Sequence, residues 1–441
     1  MIPNSALLDQ SSIATLLDAD PLVTDYRTFF SLLDWSVVQA WEAERSPRGR
    51  PGHPEVAYIK AFLVRIREGL IYASQLRRFL LQHPLLVIEL GFHLELDSRA
   101  LYGFDCQKTL PCEYWVREKL RTLDPALLQS LLAATVRDLK EEIPGLGEVV
   151  AFDVKHIYAW VKENNWRVYV PERYDKTKVL PGDPDCKLGV KRSTNQEQPD
   201  GSTKEKKELI WGYGSGVAAA TNPDYGDVVL AEYTLPFNEG DVLYFRPLYQ
   251  QTVLALETFP THLAADAAFD AWYVYEQAAR HNGIAAVPLN SHSDRSGSRD
   301  PDGVPRCPIG LRMHPTFQFA HTRGYRAQQF RCPLLFPEAT GATCDHEQFV
   351  KGIGCRKDLN WELGGLQRVL LDRSSPLYHA IYTQRTSCER INSQAKELGI
   401  ERPRARNRRS VANLNTLIYL IINVRALHRA QSINKGLLLM N

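Results

Sequence analysis

The sequence predicts an α/β protein in which a mixed-sheet core follows a mainly helical amino-terminal third. Up to about residue 145, apolar residues recur at helical spacing, as in "PEVAYIKAFLVRIREGL". From residue 147, β-branched and aromatic strand patterns alternate with helical ones, beginning with "GEVVAFDVKHIYAWV". A chain of 441 residues also exceeds what one hydrophobic core normally organises, so we expect two or three structural units.

The composition is typical of a globular protein, with 44% hydrophobic and 24% charged residues. The formal net charge of +2 indicates no particular partner. The start of the chain has no secretory-signal pattern, and the longest apolar run, "LIYLIINV", is shorter than the roughly 20 residues that span a bilayer. We therefore expect a cytoplasmic protein without a membrane span, whose eight cysteines are reduced thiols or metal ligands.

The core elements follow one another in a recognisable order. Strand patterns occupy residues 147–161, 210–221 and 226–237, and a helix pattern occupies residues 246–259. Residues 261–290 then predict a strand, a turn, a helix and a strand. Three strands, helix, strand, helix and strand is the order of a ribonuclease H-like core. The polar segment 174–209, rich in Pro, Gly, Lys and Asp, predicts a long exposed loop.

The predicted organisation has four segments. They are a mainly helical domain, the first part of the ribonuclease H-like core, a cysteine-containing insertion, and the helices that complete the core: residues 1–145, 146–290, 291–377 and 378–441. Within the insertion, "MHPTFQFAHTRGYRAQQFRCPLLF" alternates well enough to predict short strands. The final helix, "SVANLNTLIYLIINVRALHRA", should pack on the sheet through its apolar face.

Three carboxylates stand out by position. Asp153 lies in the first core strand, Asp266 ends the fourth, and Glu389 lies on a late helix. A carboxylate inside an apolar strand is costly unless it binds a cation or a hydrogen-bond partner. If the two strands are neighbours, the aspartates converge, and a helix across the sheet would bring Glu389 to the same point. Such an oxygen-only site suits two Mg²⁺ or Mn²⁺ ions that promote cleavage and joining of phosphodiesters.

The segment "YHAIYTQRTSCERINSQAKELGI" places Tyr382, Arg385, Glu389 and Lys396 at offsets of 0, 3, 7 and 14. On a single helix, all four would share one face. A polar helix face is by itself more often solvated surface, so its meaning depends on the rest of the chain.

The spacing Tyr-x2-Arg-x3-Glu-x6-Lys resembles the signature of insertion-sequence DDE transposases. "AFDVKHI" resembles the first-Asp strand of that family, and "LAADAAFDAWYVYEQAARHNGIAAVPLN" resembles its second-Asp region. The closing helix is similar to that of these enzymes. The basic, helical amino-terminal third resembles the domain often fused to their catalytic core, which implies DNA binding or assembly for residues 1–145. One departure is "ADAAFD", where relatives usually have a glycine soon after the aspartate.

The resemblance implies a role for each residue of the motif. Asp153, Asp266 and Glu389 would be catalytic and bind the metals, Tyr382 and Arg385 would meet phosphate of the transposon end, and Lys396 would contact DNA nearby. The implied activity is metal-dependent DNA cleavage and strand transfer at the ends of the protein's own insertion sequence. The implied partners are terminal inverted repeats, target DNA and a second copy of the chain on DNA.

Two alternatives to the transposase remain open. One is a ribonuclease H-like DNA nuclease without strand transfer. The other is a transposase-derived DNA-binding protein that has lost catalysis, which the intact carboxylates argue against.

A basic block follows the motif. Between residues 402 and 429 there are seven arginines and no acidic residue, and five of them lie in "RPRARNRR": Arg402, Arg404, Arg406, Arg408 and Arg409. Such a block predicts contact with nucleic acid. The alternative is a solubilising surface run.

Other candidates have a structural explanation. Asp270 rivals Asp266 as a ligand, but an aspartate there is typical of the cap of a helix beginning at Ala271. His156 and His262 lie near the candidate ligands, and we expect both to be structural.

The insertion contains four cysteines, Cys307, Cys332, Cys344 and Cys355. Their gaps of 25, 12 and 11 residues fit no common zinc module, and no CxxC pair occurs. A structural zinc ion is therefore left open and not predicted. Cys388, beside Glu389, is expected to pack within its helix.

Overall fold

The computed structural model describes residues 10–44, 52–197, 203–290 and 298–433. Residues 198–202 of the predicted loop and residues 291–297 of the predicted insertion lie outside these ranges. The chain divides into two compact units. The first unit is Met1–Leu146, Asp153–Thr258 and Ser387–Asn441, and the second is Gly147–Phe152 and Phe259–Thr386.

The described elements are numbered in chain order. The helices are α1 (Gln10–Ala19), α2 (Pro21–Ser31), α3 (Ser36–Ala43), α4 (Glu55–Arg67), α5 (Ala73–Gln82), α6 (Pro84–Leu90), α7 (Cys106–Thr109), α8 (Glu113–Thr122), α9 (Pro125–Glu142), α10 (Val242–Leu256), α11 (Trp272–Arg280), α12 (Glu347–Val350), α13 (Leu363–Leu370), α14 (Pro376–Thr383), α15 (Thr386–Glu397) and α16 (Arg408–Ser432). The strands are β1 (Val149–Tyr158), β2 (Lys187–Glu197), β3 (Thr203–Asn222), β4 (Gly226–Pro236), β5 (His262–Ala265), β6 (Ala285–Ala286), β7 (His314–His321), β8 (Tyr325–Arg331) and β9 (Arg356–Asn360).

The strands form a mixed sheet, which confirms the predicted α/β class. β3 pairs with β2 and with β4 in antiparallel fashion, whereas β5 pairs with β1 and with β6 in parallel fashion. Parallel neighbours need a crossover connection, and α11 supplies it between β5 and β6. The predicted boundary of a helical domain at residue 145 stays a prediction, although α1 to α9 account for the described structure before β1.

The prediction of a loop at residues 174–209 was wrong in its second half. This segment contains all of β2 and the beginning of β3, paired from Lys187 opposite Gly212 to Glu197 opposite Thr203. β2 ends the strand order of the sheet. An edge strand needs only its backbone ladder and tolerates lysines on its surface, so a polar composition did not exclude a strand.

Helix α16 occupies the interior of the first unit. By length and composition it is the one helix in the described ranges that could cross a membrane, but 89% of its most apolar window is buried inside the protein. The Asn423 side chain accepts a hydrogen bond from the Val229 amide at 2.9 Å and donates one to the Val229 carbonyl at 2.8 Å. The predicted packing of this helix on the sheet is thereby confirmed.

The segment carrying the four-residue motif is two helices, so the expectation of a single helix face was wrong. α14 ends at Thr383 and α15 begins at Thr386. The Thr386 hydroxyl donates to the Thr383 carbonyl at 2.9 Å, which satisfies a backbone acceptor at the break. Tyr382 therefore ends one helix, Arg385 lies in the turn, and only Glu389 and Lys396 share a helix.

Candidate active site

An open cleft of about 400 Å³ in the first unit brings together three of the predicted site residues. Asp153 of β1, Glu389 and Lys396 of α15 all line it. Asp153 is partly buried, whereas Glu389 and Lys396 are exposed. The first and last predicted carboxylates, at positions 153 and 389 of the sequence, thus line one solvent-accessible cleft.

Asn392 holds one of these carboxylates in place. Its amide Nδ2 donates to Asp153 Oδ2 at 2.9 Å, and its side chain lines the same cleft. Asn392 is only 8% exposed, so the surrounding protein restricts its rotamers. It lies three residues after Glu389, which places both side chains on the same side of α15.

Lysines surround the two carboxylates. Lys155 and Lys191 line the cleft together with Lys396. Lys155 Nζ lies 2.7 Å from Glu401 Oε1, and Lys396 Nζ lies 3.9 Å from Glu401 Oε2. Burial raises the pKa of Glu401, but the hydrogen bond from Lys155 and the lysine charges outweigh burial and lower it. The ammonium groups suit a phosphate-bearing ligand.

His156 also lines the cleft, but as a neutral ring. Burial lowers its pKa to about 4, and the charges of Lys191 and Lys155 add to this effect. Its ring centroid lies 4.6 Å from that of Phe237, in an edge-to-face arrangement. His156 therefore contributes no positive charge near neutral pH.

An ion pair fixes the helix that presents Glu389. The guanidinium of Arg390 contacts both carboxylate oxygens of Asp227 on β4, with Nε and Nη2 each 2.7 Å from an oxygen. Asp227 is 6% exposed. A two-pronged contact of this kind restrains the first turn of α15 in orientation as well as position.

Asp266 belongs to the second unit and directly follows β5. The parallel register pairs Phe152 with Ala265, so Asp153 and Asp266 are the next residues of two paired strands. Asp266 Oδ1 accepts a hydrogen bond from the Ala268 amide at 2.9 Å and caps the short 3-10 turn that follows. The predicted first and fourth core strands are β1 and β5, and their pairing meets the condition under which the two aspartates were expected to converge.

Asp270 does not cap α11, so that prediction was wrong. Ala271 precedes the helix, and the Asp270 carboxylate forms two 2.6 Å contacts with the guanidinium of Arg368. It also accepts hydrogen bonds from the Tyr275 hydroxyl at 3.0 Å and the Asn290 amide at 3.0 Å. A carboxylate with these partners is a structural anchor of the second unit.

The remaining motif residues lie in the second unit. The guanidinium carbon of Arg385 is 5.7 Å from the ring centroid of Tyr382, and the Tyr382 ring stacks on that of Tyr378 at 5.8 Å. This stack orders an arginine in the turn after α14.

The basic block divides into two groups. The guanidinium carbon of Arg402 lies 3.9 Å from the ring centroid of Tyr158. The guanidinium carbons of Arg404 and Arg406 lie 5.5 and 4.7 Å from the ring centroid of Trp160. The latter two arginines line a cavity of about 440 Å³ in the first unit.

The other two arginines of "RPRARNRR" contact neighbouring residues, Arg409 through its side chain and Arg408 through its backbone. The Arg409 guanidinium donates to the carbonyls of Leu123 at 3.2 Å and Thr122 at 3.1 Å, at the end of α8. The backbone amide of Arg408 donates to Asp185 at 3.0 Å. DNA contact by either residue stays a prediction.

The donor set of the cleft suits a hard cation. Asp153 and Glu389 offer carboxylate oxygens, the ligands that Mg²⁺ and Mn²⁺ prefer. Across the four described ranges, no three His, Cys, Asp or Glu side chains form a ready metal cluster. Binding of metal by all three predicted carboxylates therefore stays a prediction.

Sequence reasoning missed Asn392, Lys155 and Lys191. Asn392 follows Glu389 by three residues, and Lys155 follows Asp153 by two, so helix and strand periodicity could have identified both. Lys191 lies in the segment mistaken for a loop, and no local signal connects it with the site.

Fold and cleft define an α/β protein with an acidic, lysine-lined cleft that suits phosphoryl-transfer chemistry. The family model described as Transposase DDE domain matches residues 188–424, a range that contains Asp266, Glu389 and Lys396 and begins after Asp153. The chain belongs to this family and is a DDE transposase.

Two further comparisons complete the picture. No curated protein matches the chain. Among solved structures, the cryo-EM structure of the piggyBac transposase synaptic complex with hairpin DNA aligns over 95% of this chain and 84% of that chain, with 11% identity and a TM-score of 0.30.

Proposed function

We propose that this transposase cleaves DNA at the ends of its own insertion sequence and transfers the freed strands to target DNA with the help of divalent metal ions. The observation that carries the proposal is the meeting of Asp153 and Glu389 in one lysine-lined cleft. Within a family of DDE transposases, two carboxylates that share a cleft with three ammonium groups fit a reacting phosphodiester and its cations.

The proposed metal ligands are Asp153, Asp266 and Glu389. The position of Asp266 immediately after a strand paired with β1 supports its inclusion. When bound, two Mg²⁺ or Mn²⁺ ions would activate a water or a 3′ hydroxyl and stabilise the leaving oxygen.

The other cleft residues prepare the site for a phosphate. Lys155, Lys191 and Lys396 supply positive charge for the non-bridging oxygens, with two of them anchored by Glu401. The amide of Asn392 holds one oxygen of Asp153, and so it restricts the direction in which the carboxylate faces the cleft.

The proposed DNA contacts extend beyond the cleft. The aromatic-backed guanidiniums of Arg402, Arg404 and Arg406 offer planar donors for backbone phosphates. We assign Arg385 and Tyr382 to phosphate of the transposon end. Because joining requires two element ends held together, we also propose that at least two copies of the chain assemble on DNA.

The test is cleavage and strand transfer on a duplex carrying the element's terminal sequences, as a function of Mg²⁺. Glu389→Gln should abolish both reactions while DNA binding is retained, because an amide is a poor substitute for an anionic ligand. A loss of about 4 kcal/mol in transition-state stabilisation corresponds to about 1,000-fold in rate.

Glu397→Gln is the matched control, since this exposed glutamate lies on the same helix outside the cleft. It should leave both reactions within about threefold of the parent. Parent-like cleavage by Glu389→Gln would refute the assignment. If the parent cleaves DNA but does not join the freed strands to target DNA, the protein acts as a nuclease without strand transfer.

A further inference from the structure

The module around the second sheet has an unusual core. The sheet β7–β8–β9 and its loops, residues 298–361, are called the three-stranded module below. Its buried cluster contains six residues, of which three are Cys307, Cys332 and Cys355, with exposures of 5%, 2% and 8%. A small module with few buried apolar side chains commonly needs a metal or a cross-link for stability.

A loop brings the fourth cysteine of the module toward this cluster. The backbone amide of His346 donates to Cys344 Sγ at 3.4 Å, and His346 Nδ1 lies 3.6 Å from Cys355 Sγ. The loop between Cys332 and Cys355 contains only the four-residue helix α12 and is largely exposed. Three of its apolar side chains, Leu334, Leu335 and Phe349, pack against the cluster and are only partly buried.

The backbone around two of the thiols is tightly turned. Cys307 and Cys332 are each followed by proline, and their carbonyls accept hydrogen bonds from Gly310 at 2.8 Å and Leu335 at 3.1 Å. A Cβ added at Gly354, which has φ of +69°, would lie 2.7 Å from the Cβ of Cys332. The chain bearing Cys355 thus passes directly against Cys332, where only glycine fits.

A lysine lies close in the chain to one of the clustered cysteines. Lys357 follows Cys355 by two residues. Lys357 interacts with Cys355 and Cys307, and its Nζ donates to the Arg306 carbonyl at 3.1 Å. This ammonium group would offset part of the negative charge of clustered thiolates.

We propose that Cys307, Cys332, Cys344 and Cys355 bind one structural zinc ion that holds the exposed loop against the sheet. Four thiolates are a common tetrahedral donor set for Zn²⁺. In the parts of the chain that the structure describes, no three His, Cys, Asp or Glu side chains are arranged so that they could hold a metal ion, so zinc binding requires the thiols to move toward a common point. The site is separate from the cleft and does not depend on the proposed DNA chemistry.

The experiment measures metal content and ligand type in the full-length protein. The parent, expressed with zinc and purified without chelator, should contain about one zinc per chain by mass spectrometry. Cys332→Ser should lose most of it. Cys186→Ser removes a buried thiol of the first unit and should retain it. Co²⁺ added to metal-free parent should produce the intense near-ultraviolet bands of a four-thiolate site, unchanged in His346→Ala.

The outcomes separate clearly. A parent without zinc and without cobalt–thiolate bands overturns the proposal, whether or not the serine variant folds. Zinc retained by soluble Cys332→Ser, or a band change in His346→Ala that indicates a histidine ligand, overturns the four-thiol assignment. Stoichiometric zinc with a four-thiolate cobalt spectrum, lost in Cys332→Ser, supports it.

Discussion

Replacing Asn392 by alanine tests whether the amide beside Asp153 positions a catalytic carboxylate. The substitution removes a 2.9 Å hydrogen bond to a charged oxygen and leaves a gap beside it. A hydrogen bond to a charged group contributes about 1.5–3 kcal/mol, which corresponds to about 10- to 150-fold. Partners that orient metal ligands have effects of similar size, about 10- to 100-fold.

The assay is the Mg²⁺ dependence of DNA cleavage at fixed pH. Asn392→Ala should raise the half-saturating Mg²⁺ concentration by about 10- to 100-fold, with DNA affinity unchanged. Asn392→Asp should raise the pKa of Asp153 by like-charge repulsion, which moves the acidic limb of the pH–rate profile to higher pH. Gln394→Ala, two residues further along α15 and outside the cleft, is the control.

A parent-like Mg²⁺ requirement and pH profile in both Asn392 variants would refute this reasoning. It would mean that the carboxylate of Asp153 needs no orienting partner. A uniform fall in rate at every Mg²⁺ concentration, accompanied by weaker DNA binding, would instead place the amide in the DNA interface.

Three further predictions concern buried charge and DNA. Burial raises the pKa of Glu232 from 4.5 to about 7, so the carboxyl group stabilises the fold fully below about pH 4.5 and this contribution is lost by about pH 7. Glu232→Gln lacks this pH dependence, so its free energy of unfolding relative to the parent should rise by about 3 kcal/mol as the pH is raised across that range. Arg368→Met leaves the carboxylate of Asp270, whose side chain is 0% exposed, without its cation and should cost about 3–5 kcal/mol in urea unfolding. Changing Arg404 and Arg406 to glutamine should reduce the slope of log affinity against log salt by about 1.8, or about 0.9 for each lost phosphate contact.

Each of these predictions has a result that contradicts it. Parallel stability–pH curves for parent and Glu232→Gln would mean that the buried carboxylate keeps an ordinary pKa. Arg368→Met within about 1 kcal/mol of the parent would show that Asp270 finds water or another donor. An unchanged salt slope in the double arginine variant, equal to that of the surface control Arg280→Gln, would remove these arginines from the interface.

Local patterns were sufficient for much of the fold. Strand β1 and helix α16 follow from periodicity, since their residue patterns predicted both elements. The strand β2 was missed because an edge strand is held by backbone hydrogen bonds, which its side-chain pattern does not predict. The break between α14 and α15 was missed because a two-residue interruption leaves helical periodicity almost unchanged.

The candidate site shows the same division. The sequence by itself determined the class of protein, because its spaced motif behind two strand aspartates resembles that of DDE transposases, the family whose model matches the chain. Only tertiary structure decided that Asn392 bonds Asp153, that Asp270 pairs with Arg368, and that three distant cysteines share one buried cluster. Periodicity is a property of neighbouring residues, whereas hydrogen bonds, ion pairs and thiol clusters depend on distances between segments that only the folded chain sets.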